Sequence, residues 1–206
     1  MPKIVAAKHL QADVQAFQAH ILTWIGRARG CAMQANINNF AHNGLGILFG
    51  GPPAGPSTQL VEEWFGALDG QQITLLRGNL TLMRNVLAHP QATVRIVDAP
   101  MIFGDRAYYA QVRGRYNPMM PRLSVEVADQ WASCNTDTRV NTLFHELSHR
   151  ILATVDLGPT QGYPEMMYGI GNAHHLADNA PQDALRNAEN YGYFIALANG
   201  FVNQAP

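Results

Sequence analysis

The sequence predicts an α+β fold, mostly helical, with a small and largely antiparallel sheet preceding a helix that carries the pattern H-E-x-x-H. Three observations lead there. Apolar residues recur at helical spacing in the first ninety positions and again after Asp137. Short β-prone runs broken by Gly, Pro and Asn fill the middle. A chain of 206 residues with 47% hydrophobic content can bury one sizeable core. We therefore expect a single domain over 1–206, helical through 1–90, with the sheet and the motif-bearing helices in 91–206.

Leu10, Val14, Phe17, Ile21 and Ile25 follow one another at steps of four, three, four and four, which predicts an amphipathic helix to about Arg29. The stretch NINNFAHNGLGILFGGPPAGPST is rich in Asn, Gly and Pro and reads as a long connection. Its glycines lack the Lys-Ser/Thr of a phosphate loop. Ser57 is a candidate cap for a short helix through Trp64-Phe65-Gly66, and Leu76, Leu80, Met83 and Leu87 mark another ending near His89-Pro90. Val94–Val97, Ala107–Val112 and Leu123–Val127 supply the strands. Helices are expected again over about 138–153, 168–178 and 181–199, the last with Pro181 in its first turn.

A net charge of −1, from 14 basic and 15 acidic residues, gives no reason to expect a nucleic-acid or anionic-membrane partner. Cys31 and Cys134 match no metal spacing; one disulfide and two thiols both remain open. The segment MPKIVAAKHLQADVQAF has no apolar h-region, so we expect neither a signal peptide nor a membrane helix. Synthesis in the cytoplasm, with export by a non-Sec route as a toxin or effector, is the corresponding expectation. Such a protein would need an immunity or inhibitor protein as a partner.

Chemistry concentrates in Val140-Asn-Thr-Leu-Phe-His145-Glu146-Leu-Ser-His149-Arg. On a helix, Val140, Leu143, Phe144, Leu147 and Ile151 form one apolar stripe. His145 and His149 fall together one turn apart, so both imidazoles can reach one ion. Zn2+ accepts neutral imidazole nitrogens plus one further protein ligand and leaves a position open to water. Glu146, offset from the histidines, is placed to take a proton from that water as it attacks a peptide carbonyl.

Beyond the motif, Ala153-Thr-Val-Asp156, Tyr168-Gly169 and Asn187-Ala-Glu-Asn-Tyr191-Gly-Tyr-Phe194, with Trp64-Phe65-Gly66 upstream, resemble the aspzincin zinc metallopeptidases. That group includes deuterolysin and the lysine-specific metalloendopeptidases. The resemblance implies a zincin-like fold and an endopeptidase acting on protein or peptide substrates. It further implies Asp156 as third zinc ligand, Tyr168 as a hydrogen-bond donor to the oxyanion, and Glu189 as a substrate-binding carboxylate. This chain departs from the pattern twice. A Gly/Pro-rich insertion separates Asp156 from Tyr168, which brings Glu165 into competition as the ligand. Gly192 stands where the lysine-specific members have a second acidic residue, so strict lysine preference is not expected. His174 and His175 could extend the site, although tandem helical residues point apart.

On a continuous helix Asp156 would lie ~10 Å along the axis from His149. The helix must break near Ala153 for the carboxylate to turn back, and Thr154, Val155, Gly158 and Pro159 favour a break. Two other readings stay open: a His-His-Glu zinc hydrolase using Glu165, and a non-catalytic zinc or protein-binding module on a peptidase scaffold.

Overall fold

The computed structural model describes residues 3–5, 11–41, 56–98, 110–112, 122–127, 131 and 134–201. The expected long connection falls mostly at 42–55, and the expected strand at 107–112 begins at 107–109; both stretches lie outside the described residues.

Helix α1, Gln11–Ala41, runs well past the expected end. Ala28, Ala32 and Ala35 continue the buried stripe begun by Phe17, Ile21 and Ile25, so Gly30 interrupts nothing. These small residues let α1 pack against α2, Pro56–Phe65, and α3, Gly70–Ala88. Ser57 is not a cap, because α2 already begins at Pro56; its hydroxyl donates to Gln34 Oε1 at 2.5 Å. Helix α3 opens on a capping box in which Asp69 Oδ1 accepts from Gln72 N and Asp69 N donates to Gln72 Oε1, both at 2.8 Å. That box starts α3 a full turn and more ahead of its first expected apolar residue.

The sheet has the order β1-β2-β4-β3, with β1 Lys3–Val5, β2 Thr93–Asp98, β3 Ala110–Val112 and β4 Arg122–Val127. It is mixed, not largely antiparallel. β1 and β4 both run parallel to β2, and only β3 is antiparallel, to β4. Parallel neighbours require crossovers, and here the crossover from β1 to β2 is the whole α1–α3 helical layer. The first ninety residues therefore contribute a strand as well as helices. Buried Val94 and Ile96 on β2 meet Leu123, Val125 and Val127 on β4, so one face of the sheet closes onto the core.

Helix α4, Thr136–Leu152, follows with Asn135 as its cap, Asn135 Oδ1 accepting from Thr138 N at 2.8 Å. It is covered on several sides. β3 and β4 flank it, and its most extensive packing is against α7, Ala188–Leu197. Helix α5, Gly169–Asn179, and the single turn α6, Pro181–Ala184, lie between them in sequence. The expected helix over 181–199 is thus split in two, because the backbone at Arg186 and Asn187 leaves the helix to pair with Val155. Among the described residues, no helix is long and apolar enough to cross a membrane. Cys31 and Cys134 are not joined in a disulfide.

Candidate metal centre

His145 and His149 project from the last two turns of α4, whose Val140, Leu143, Phe144, Leu147 and Ile151 are buried as the periodicity predicts. Each imidazole is held from behind by its Nδ1. His149 Nδ1 lies 2.8 Å from Thr154 O, and His145 Nδ1 lies 2.8 Å from Glu189 Oε2. A carbonyl and a carboxylate only accept, so both Nδ1 atoms carry hydrogen, and in the neutral imidazoles that a metal requires both Nε2 atoms are left to offer lone pairs. Those two Nε2 atoms stand 3.1 Å apart.

The helix ends where the return of Asp156 requires. Ala153 adopts the left-handed conformation, φ 56° and ψ 34°, the one non-glycine with positive φ among the described residues. Val155 N then donates to Arg186 O at 2.9 Å, and Ala188 N donates to Val155 O at 3.1 Å. Buried Ser148 ties the turn to the helix: its hydroxyl donates to His145 O at 2.7 Å and pairs with Thr154 Oγ1, also at 2.7 Å. Leu157 N is held by Asn187 Oδ1 at 3.4 Å. The outcome is that Asp156 Oδ1 sits 3.1 Å from His145 Nε2 and 3.0 Å from His149 Nε2.

Three electron-donating atoms therefore form a triangle with edges of 3.0–3.1 Å. Ligand atoms of a tetrahedral zinc ion bonded at 2.0–2.1 Å stand about 3.3 Å apart. Asp156 Oδ1 is buried and accepts no hydrogen bond. Such a cluster needs a positive charge at its centre, and its two imidazoles and one carboxylate suit zinc chemically. The same demand shows in the pKa values. Burial opposes protonation of His145, yet the carboxylates of Asp156 and Glu189 beside its two ring nitrogens, with the charge of Glu146, raise its pKa well above the usual imidazole value. Burial likewise works against ionised Asp156, but the two histidines overcome it and hold its pKa far below the carboxylate range.

Glu146 is buried beside the triangle, its Oε1 4.0 Å from His145 Nε2. Desolvation raises its pKa, while His145, His149 and the N–H of Val112 on β3 pull the other way. The ring centroid of Tyr168 is 6.2 Å from that of His145. It reaches the site despite the insertion, because Met167 N donates to Leu157 O at 2.8 Å and pinches the inserted stretch off as a closed excursion. Glu165 lies out on that excursion, exposed and 3.4 Å from Asn172 Nδ2. Among the described residues, the group that could hold a metal ion is His145, His149 and Asp156. His174 faces Glu63 at 3.4 Å and packs on Trp64, and His175 is exposed beside Asn179; neither joins the site.

With this geometry in view, the comparisons with known proteins are direct. The model of the lysine-specific metallo-endopeptidase family, the aspzincins, matches residues 53–196. This chain is an aspzincin. An extracellular protease of Aeromonas hydrophila is 31% identical over 146 residues, covering 68% of this chain and 36% of that protein. A peptidyl-Lys metalloendopeptidase of Armillaria mellea is 43% identical over 65 residues, 32% of this chain and 16% of its own length. The chain thus spans only about a third or less of the curated relatives it matches. A zinc peptidase from Grifola frondosa shares the fold with a TM-score of 0.53 at 19% identity, covering 88% of this chain and 94% of that one.

Several aspzincin positions now have physical reasons. Gly66 of Trp64-Phe65-Gly66 has φ 74°, and a Cβ there would stand 2.0 Å from Ala177 O. Asn190 is fully buried, and its Nδ2 donates to Trp64 O at 2.6 Å and Ala173 O at 2.9 Å, binding α2, α5 and α7 together. Asn187 Nδ2 donates to Asn190 Oδ1 at 2.7 Å while its own oxygen holds Leu157, so this pair anchors the backbone that presents Asp156. Sequence reasoning gave these asparagines no role. The available signal was their spacing of three at the start of a mostly apolar helix.

Proposed function

We propose that this aspzincin is a zinc-dependent endopeptidase in which His145, His149 and Asp156 hold the metal and Glu146 is the general base. The observation that carries the reading is the convergence of two imidazole lone pairs and one unsatisfied carboxylate oxygen within 3.1 Å. Asp156 is preferred to Glu165 because it alone of the two reaches the histidines. Bound there, zinc supplies Lewis acidity, polarising the peptide carbonyl and lowering the pKa of water.

The protein groups then divide the work. Glu146 takes the proton of the attacking water and passes it to the leaving amine, restoring its own carboxylate. Its burial favours this, because a desolvated carboxylate holds a proton more readily than an exposed one. The Tyr168 phenol donates to the oxygen on which negative charge develops. β3 ends the described sheet beside Glu146, so a peptide substrate laid along that edge would carry its scissile bond past the base.

For specificity we infer no strict requirement for lysine. Position 192 has no side chain to offer, and both Glu189 oxygens are already engaged, by His145 Nδ1 and by Gly169 N at 2.9 Å. The test is cleavage of denatured casein alongside metal analysis. Glu146→Gln should retain one zinc per chain while activity falls about 10²–10⁴-fold. Undiminished cleavage by that variant would remove Glu146 from the mechanism; a wild-type protein without zinc would remove the hydrolase reading.

A further inference from the structure

Behind His145 the carboxylate of Glu189 does not stand alone. Tyr193, one turn along α7, is 7% exposed, its phenol lying between Glu189 and Asn141 within hydrogen-bonding reach of both. Its ring is stacked on Trp64 with centroids 4.8 Å apart, which fixes where the hydroxyl points. Polarity sets the direction of each bond. The ionised Glu189 only accepts, so the phenol donates to it, and the Asn141 amide N–H donates to the phenol oxygen. Asn141 belongs to α4, one turn ahead of His145, and is held close to α7 by Gly192: a Cβ at 192 would lie 2.2 Å from Asn141 Oδ1 and 2.8 Å from Asn141 O. A closed circuit therefore leaves α4 at Asn141, crosses to Tyr193 and Glu189 on α7, and returns to α4 at His145.

Resting on the zinc reading above, we propose that Asn141, Tyr193 and Glu189 form a buried hydrogen-bonded relay that orients His145, making Glu189 a positioning residue of the metal centre and not a wall of the substrate pocket. Both Glu189 oxygens are committed, to His145 Nδ1 at 2.8 Å and to Gly169 N at 2.9 Å, and the side chain is 12% exposed. With Tyr193 these make three donors on a carboxylate that accepts about four, so a substrate ammonium finds little of this buried group left to meet. A carboxylate on the outer nitrogen of a metal-bound imidazole fixes its tautomer and strengthens it as a ligand. Tyr193 and Gly192 then have one shared purpose: the first completes the relay, and the second lets the two helices approach closely enough for it to form.

The test uses the purified full chain, with zinc affinity from chelator competition, the visible spectrum of the cobalt-substituted protein, and cleavage of peptides that differ only in lysine or leucine beside the scissile bond. Glu189→Gln should weaken zinc binding about 10- to 100-fold, shift the cobalt bands, and leave the lysine-to-leucine ratio unchanged. Tyr193→Phe should do the same to a smaller degree, and its effect should vanish in the Glu189→Gln background, since the two act through one path. If Glu189→Gln does not fold, Tyr193→Phe and Asn141→Ala carry the metal measurements. Normal zinc affinity with a selective loss of lysine cleavage in Glu189→Gln would overturn the proposal, as would additive effects of the two substitutions. Absence of zinc from the wild type is a different outcome, and it would fall on the metal reading instead.

Discussion

Ala153 offers the sharpest quantitative test of how this chain builds its site. It ends α4 in the left-handed region, φ 56° and ψ 34°, and the turn it makes returns Asp156 to the histidines. An L-residue with a Cβ pays about 1–2 kcal/mol to sit there. Its methyl group is exposed, so trimming it sacrifices no core packing. Ala153→Gly relieves the strain but adds unfolded-chain entropy, which costs about 0.4–1 kcal/mol. The net expectation is a gain of about 0.5–1 kcal/mol, or a Tm higher by about 1–4 °C for a domain of this size. Thermal and urea unfolding of the zinc-free protein measure it without interference from metal linkage. Zinc stoichiometry should not change. Ala153→Val, β-branched at the same φ, should move stability in the opposite direction. A glycine variant no more stable than the parent would refute the claim that strain is stored at this turn.

Further outcomes follow from the same geometry. Asp156→Ala should abolish stoichiometric zinc binding, whereas Glu165→Ala should keep it; metal content after dialysis distinguishes the two. The His145 pKa is raised in the folded protein, so its protonation stabilises the metal-free fold fully below about pH 6.5. That contribution is lost as pH rises through the higher folded value. Urea midpoints of the zinc-free protein should therefore fall with rising pH above neutrality, while zinc affinity rises over the same interval as the competing proton leaves. Gly192→Ala should cost about 1–3 kcal/mol from the collision with Asn141. Asn190→Ala should cost about 2–4 kcal/mol, because the buried carbonyls of Trp64 and Ala173 both lose their donor; denaturant titration reads both.

Local pattern determined the parts that obey local rules. The apolar stripe of α4, the pairing of His145 with His149 one turn apart, and the offset of Glu146 are consequences of 3.6 residues per turn. Nothing distant can alter that spacing once the helix forms. The need for a break before Asp156 was equally legible, because a straight helix would carry that residue ~10 Å away.

What tertiary structure alone decided depends on segments far apart in the chain. β1 is three residues long, too short to announce itself, and both it and β4 run parallel to β2, so the sheet expected to be largely antiparallel is mixed. That Asp156 and not Glu165 comes to lie beside the histidines depends on Arg186 and Asn187, about thirty residues downstream, capturing the backbone at Val155. Glu189, a substrate-binding candidate in the sequence, accepts hydrogen bonds from His145 and Gly169 in the fold. A hydrogen bond between residues 44 positions apart leaves no periodicity to read. Its existence depends on which helices meet, and that is set by how all of the apolar faces pack at once.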